Sequence, residues 1–333
     1  MAEWLYEAGI GENRAALVEG GRILEMQIER DADAGPRVGA IRHARLTRKA
    51  DGSGRGLVTL DDGIAAQLQP VPGGLTEGAS LMVEVIREAL REGAETKPLR
   101  VKALAPEARP ADGPDLRARL EATGLPVRTL GGEGDLLETH GWSEALEEAA
   151  SGIVTTSQVL LRIALTPAMT LIDVDGAGAP ADVALAGARA SAEAIRRFGI
   201  MGSIGIDLPT VADKAVRQAA AIAFDQILSQ PFERTAVNGF GFLQIVRRRE
   251  RASLIEMLQA DPVLAAALAL LRRAERTPGF GSLTLQANPA VLARIENQPD
   301  WIDALARRLG APVALRPDRA LAISAGHASR TQN

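Results

Sequence analysis

Two short apolar runs end in carboxylates: Thr170-Leu171-Ile172-Asp173-Val174-Asp175-Gly176, then Ser203-Ile204-Gly205-Ile206-Asp207-Leu208-Pro209. Side chains alternate faces along an extended strand, so Asp173 and Asp175 are expected to point one way while Ile172 and Val174 face a core. Between the runs, Val183, Leu185, Ala188, Ala192 and Ile195 recur at helical spacing over 181–198, and Gly199 suits a C-cap. A strand, helix, strand order usually leaves its two strands parallel and close in one sheet, which would bring Asp207 near Asp173 and Asp175. Three carboxylates could then share Mg²⁺, an ion that takes hard oxygen ligands and pairs with phosphate oxygens. Such an ion activates a water for in-line attack and offsets charge on the phosphoryl group. His43, His140 and His327 lie in neither run, which disfavours a histidine-centred hydrolase.

The plainer reading of a strand-ending Asp is a helix cap or a turn. A second chemical reading is that Asp-x-Asp-Gly after an apolar strand resembles the nucleophile motif of haloacid-dehalogenase-type phosphatases, which form an aspartyl-phosphate. Ala177 stands where that motif carries Thr. A calcium loop of EF-hand type fits less well, since no further acid follows Asp175 at the required spacing.

The elements needed to hold these acids fit a chain of 333 residues with 46% hydrophobic content, enough for two or three domains. The start, 1–10, carries Glu3 and Glu7 rather than a signal-like apolar run, and no apolar stretch reaches membrane-spanning length. The expectation is a cytoplasmic protein with no membrane partner. A net charge of −4 confines any nucleic-acid contact to local clusters. Those are Arg247-Arg248-Arg249 with Arg251, the group Arg42, Arg45, Arg48 and Lys49, and Arg272-Arg273 near Arg276, each ordinarily a solvated face. With no cysteine, disulfides and thiolate metal sites are excluded.

Residues 14–19 and 23–28 read as two strands about a Gly20-Gly21 turn, and 31–36 as a boundary. Five short alternating runs (38–47, 56–60, 64–68, 81–86 and 99–104) suggest a small barrel of the oligonucleotide-binding (OB) type. No Phe, Tyr or Trp occurs from Pro36 to Leu104, so the usual base-stacking platform is missing there. Arg42, His43, Arg45 and Lys97 remain as possible phosphate contacts. Helices are expected over 116–122, 142–150 and 211–229, with strands over 153–165 and a turn at Gly131 to Gly134. A strand is expected over 235–244, with Phe240 and Phe242 packed in a core. From Pro262 the pattern is helix (263–274), strand (282–286), helices (289–296, 301–309), strand (313–315) and a polar tail.

This order of motifs resembles the catalytic half of the RNase E/G family of bacterial endoribonucleases, over nearly the whole chain. The family pattern Ile-Asp-Val-Asn, a helix, then Gly-Gly and a strand ending Ile-Asp is similar to Leu171 to Asp175 and Gly202 to Asp207. Its Arg-Phe-Gly-Leu motif and following basic run are similar to Gly239-Phe240-Gly241-Phe242-Leu243-Gln244 and Val246-Arg247-Arg248-Arg249, and 136–157 looks like the family's approach to the catalytic strands. The resemblance implies an α/β, multidomain (α+β) fold. Its parts are a discontinuous RNase H-like subdomain (1–35 and 105–148), an inserted OB barrel of the ribosomal-protein S-one type (36–104), a DNase I-like catalytic domain (149–252), a small C-terminal α/β domain (253–325) and a tail (326–333).

It further implies Mg²⁺-dependent hydrolysis of single-stranded RNA, with Asp173 and Asp207 as catalytic metal ligands and Asp175 where the family more often has Asn. Lys97, Lys214, Arg247 and Arg249 would contact RNA. The family's zinc link falls after Arg251, where this chain has no cysteine, so no zinc is expected and any oligomer must form without it. Leu57 and Gln67 occupy stretches where the family tends to place Phe. The five-prime sensor is shortened, and Val127-Arg128-Thr129 fits the strand after the sensor better than its phosphate-binding tripeptide. The competing expectations are an RNA-binding scaffold of the same fold without turnover, and the aspartyl-phosphate phosphatase.

Overall fold

A computed structural model describes residues 1–31, 35–49, 52, 54–92, 95–131 and 134–330. Parts of the expected boundary at 31–36 and of the Gly131–Gly134 turn lie outside them, as do the last three residues. The protein is mixed α/β and divides into two compact units, each assembled from separated stretches of chain.

The first unit comprises 1–33, 125–150 and 257–333. Its first sheet runs Val127–Thr129, Glu3–Ala8, Glu12–Glu19, Arg22–Arg30, with the outermost pair parallel and the others antiparallel. Gly20 and Gly21, at φ of 57° and 79°, make the hairpin turn expected from the sequence. A second sheet places Leu283–Ala287 between Val313–Pro317 and His327–Arg330, so residues expected to be a polar tail form a strand. Helices Pro262–Arg276, Pro289–Glu296 and Pro299–Leu309 enclose a core of Leu264, Leu268, Leu271, Leu285, Ile295 and Trp301. Ile10, from the loop after the first strand, is buried in that same core.

Charge is also buried here. Arg14, only 1% exposed, donates to Glu7 (2.9 Å) and Glu12 (2.7 Å), and Arg272 donates to Glu7 (3.1 Å) and Asp135 (2.5 Å). Arg276 completes the cage around Glu7. The cluster Arg272-Arg273-Arg276, expected as a solvated face, therefore places Arg272 inside, because acids distant in sequence receive it. Burial alone would push Glu7 up, but Arg272, Arg14 and Arg276 together outweigh it and hold the carboxyl below its ordinary range.

The second unit comprises 34–124 and 151–256. Strands Ile41–Arg48, Gly56–Leu60, Ala65–Leu68, Ser80–Arg87 and Leu99–Ala103 close a five-stranded barrel around Leu46, Val58, Leu60, Leu68, Val83, Val85 and Val101. Taken as one to five in chain order, they pair 1-2-3-5-4-1, with strands three and five parallel and every other pair antiparallel. A two-stranded ribbon, Leu90–Glu92 with Glu95–Lys97, lies between strands four and five.

The remaining sheet has six strands in the order Ile153–Thr155, Val159–Leu165, Thr170–Gly176, Gly202–Asp207, Phe242–Arg247, Glu233–Arg234. Thr170–Gly176 and Gly202–Asp207 are parallel neighbours joined by helix Pro180–Arg197. That helix starts with Pro180 at its first turn and ends at Phe198, with Gly199 at φ 63° continuing the chain. Gly187 lets it approach the sheet, because a Cβ there would strike Val174.

Two expected elements of this unit also differ. The helix predicted over 211–229 is shorter, Lys214–Asp225: Asp213 caps it by accepting from the Ala215 amide (2.7 Å), and Arg217 donates to the carbonyls of Val211 and Ala212 (2.7 Å each), holding them outside the helix. Of the strand predicted over 235–244 only 242–244 are extended, as the start of Phe242–Arg247; a short strand Glu233–Arg234 precedes the range, and a turn through Asn238 to Gly241 lies between the two. Among the described residues no single helix is long and apolar enough to cross a membrane.

Candidate functional site

Asp173, Asp175 and Asp207 share one open face of the six-stranded sheet. Burial along Thr170–Gly176 alternates as the sequence predicts: Ile172 and Val174 are buried, Asp173 and Asp175 exposed. Asp173 and Asp207 are register partners on the two parallel strands, with their Cα atoms facing across the pairing. The same row continues both ways, since Arg162 opposes Asp173 and Phe242 opposes Asp207. Adjacent strands lie about 4.8 Å apart, so a cation, two carboxylates and an aromatic ring occupy consecutive steps of one row.

Arg162 is the residue that inspection of motifs misses. Its guanidinium bonds the Asp175 carboxylate and lies 3.4 Å from Asp173 Oδ2. All three side chains are more than half exposed, which limits the worth of the pairs in water. The hydrogen bond that Arg162 donates to Asp175, followed by the Asp175 charge and then the hydrogen bond to and charge of Asp173, pushes the guanidinium above its ordinary value. The sequence signal is a lone charge within Val159-Leu160-Leu161-Arg162-Ile163-Ala164-Leu165, at the position whose alternation matches Leu160 rather than the buried Leu161 and Ile163.

Among the described residues no three His, Asp or Glu side chains are arranged to hold a metal ion. The donors nevertheless fit the simpler requirement of Mg²⁺, which is held by one or two carboxylates together with waters and phosphate oxygens. Asp173 and Asp207, adjacent in one row, supply two such carboxylates; Arg162 bonds Asp175 and also reaches Asp173, so Asp207 is the least engaged of the three.

The floor beside Asp207 is built by glycine. A Cβ on Gly205 would sit 2.5 Å from Phe242 Cζ and 3.0 Å from Leu171 Cδ2, so the Phe242 ring lies over the Gly205 backbone. The next turn is braced from several sides. Asn238 Oδ1 accepts from the amides of Phe240 (2.9 Å) and Phe242 (3.0 Å), the Leu208 amide donates to the Gly241 carbonyl (3.2 Å), and Thr210 Oγ1 donates to the Phe240 carbonyl (3.1 Å). Phe240 emerges from this turn 82% exposed rather than packed in a core, as its apolar character alone suggested.

The other expected site residues fall elsewhere. Lys214 is exposed on the first turn of Lys214–Asp225, after the loop that follows Asp207. Arg247 opposes Gly202, five residue pairs from Asp207 and so about 17 Å along the strands. It donates to the Ile200 carbonyl (2.7 Å), and Arg249 is ion-paired with Glu256. Neither joins the acidic row, because the strand carries its basic end away from it. Lys97 ends the barrel ribbon, exposed. Of the barrel's other basic residues, Arg42 is paired with Asp112 (2.5 Å) and Arg45 donates to the Gly78 carbonyl (3.1 Å).

No known family model and no curated protein sequence matches the chain. Site and topology alone therefore carry the functional reading.

Proposed function

We propose that the protein is a Mg²⁺-dependent endoribonuclease acting on single-stranded RNA, built on the plan of the RNase E/G family. The observation that carries this reading is the pairing of Asp173 with Asp207 on adjacent parallel strands, on an open sheet face that a polymer can reach. The barrel connectivity 1-2-3-5-4-1 supports the OB assignment, and the mixed sheet of 1–33 and 125–150 supports an RNase H-like subdomain. The six-stranded sheet with its helical crossover supports a DNase I-like part.

Asp173 and Asp207 would hold the ion. When bound, Mg²⁺ lowers the pKa of a water and offsets charge on the phosphodiester under attack. The water oxygen bonds to phosphorus, the bond to the three-prime oxygen breaks, and the departing oxygen takes up a proton, leaving five-prime phosphate and three-prime hydroxyl ends. Arg162 reduces the repulsion that three carboxylates would otherwise present to a polyanion. Lys214, exposed on the first turn of the helix entered from the Asp207 loop, would contact a neighbouring phosphate. The cytoplasm is the matching location for such a substrate.

End-labelled single-stranded RNA tests this. Wild type with Mg²⁺ is expected to cleave, EDTA to stop it, and Asp173→Asn or Asp207→Asn to slow it at least about a hundredfold. RNA left intact by wild type at high concentration overturns the proposal. The engagement of Asp175 and Asp173 by Arg162 favours one second reading, an RNA-binding scaffold without turnover. Its outcome would be RNA binding that persists in EDTA with no cleavage. Phosphate release from small monoesters, lost in Asp173→Asn, would instead identify the aspartyl-phosphate chemistry.

A further inference from the structure

We propose that Phe240 is a stacking platform for a nucleobase of the bound RNA, beside the phosphodiester held at Asp173 and Asp207; this rests on the endoribonuclease reading. Its ring is 82% exposed, although an apolar side chain of that size gains free energy by burial. The backbone beneath it is fixed rather than loose. Asn238 Oδ1 receives two amides, Thr210 holds the Phe240 carbonyl, and Gly241 sits at φ 93° with no room for a Cβ against the Leu208 carbonyl. A rigid support under an exposed ring lowers the entropy lost when a partner settles on it.

The location is equally specific. Phe242 is the register partner of Asp207, and the Phe240 turn is bonded to Leu208 and Thr210, the residues that follow Asp207. A base seated there would leave its phosphate within a nucleotide of the acidic row. The barrel offers no comparable ring, since 36–104 contain no Phe, Tyr or Trp, while stacking on an aromatic ring accepts any base. The platform would thus hold single strands, whose bases are free to stack, in preference to duplex.

The test uses the full chain with Asp207→Asn to block turnover, titrated with a single-stranded RNA oligomer and with an abasic oligomer of equal length. Phe240→Ala is expected to weaken RNA binding about ten- to a hundredfold and Phe240→Trp to preserve it. The native Trp4, Trp142 and Trp301 are buried, so an exposed indole introduced by Phe240→Trp reports separately; RNA should quench it and abasic oligomer should not. Phe280→Ala, at an even more exposed ring in the other compact unit, should leave RNA affinity unchanged. Equal RNA affinity of the Phe240→Ala protein, or an indole signal indifferent to bound RNA, overturns the platform even if wild type cleaves RNA. Quenching by RNA without cleavage by wild type retains the platform and removes the nuclease reading. Absence of RNA binding in every variant removes both.

Discussion

At the scale of single residues, Arg162 decides the charge of the candidate site. Three carboxylates on one sheet face would repel an RNA backbone, and one guanidinium bonded to two of them leaves Asp207 as the acid least engaged. Its removal should therefore act on cation binding before it acts on folding, because exposed pairs contribute little stability. Arg162→Gln is expected to bind Mn²⁺ about three- to tenfold more tightly than wild type by titration calorimetry, with its thermal midpoint nearly unchanged. Weaker Mn²⁺ binding by that variant would mean that Arg162 supports the ion site rather than competing with it. The acids themselves were legible in the sequence, since two Asp residues spaced by one must share a strand face. Arg162 was not, because its role depends on which strand lies across from Asp173, and no local spacing states that.

At the scale of elements, the turn before Phe242–Arg247 shows how backbone geometry serves the site. Gly241 combines a positive φ with a close approach to the Leu208 carbonyl, so any side chain there meets both strain and a backbone atom that cannot swing aside. Gly241→Ala should destabilise by about 2 to 4 kcal/mol in chemical denaturation. Gly239→Ala, two residues earlier with open space around it, should change stability by less than about 0.5 kcal/mol. Equal effects at the two positions would show that the turn is not the constrained element described. The sequence pattern around Phe240-Gly241-Phe242 predicts a continuous strand over 235–244. Alternation alone does not separate a strand from a turn whose amides are satisfied by a side chain, here Asn238.

The whole molecule is organised by contacts between distant stretches of chain. Glu7 on the first strand is enclosed by Arg14, Arg272 and Arg276, drawing residues more than 260 positions apart into one buried network. Because the folded-state pKa of Glu7 is depressed, the unfolded chain takes up the proton first on acidification. Its contribution is thus present above the ordinary carboxylate value of 4.5 and is lost as pH falls through the lower folded value. Glu7→Gln should cost about 3 to 5 kcal/mol at neutral pH by stranding buried guanidinium groups, and should flatten the loss of stability below pH about 4.5. Urea denaturation at a series of pH values checks both; an unchanged acid limb would assign that loss to other carboxylates.

The sequence by itself determined the local patterns: the five barrel strands, the crossover helix ended by Gly199, and the common face of Asp173 and Asp175. Each depends on a period of 2 or 3.6 residues, a property of the neighbouring chain. Only the tertiary structure decided that Asp173 and Asp207 stand in register, that Arg162 and Phe242 extend their row, and that Arg247 lies at the far end of its strand. It also decided that Ile10 completes a core built by residues beyond 260, and that 327–330 pair as a strand. Register and partner choice are set by which distant surfaces bury one another, and periodicity within a segment carries no information about its partner.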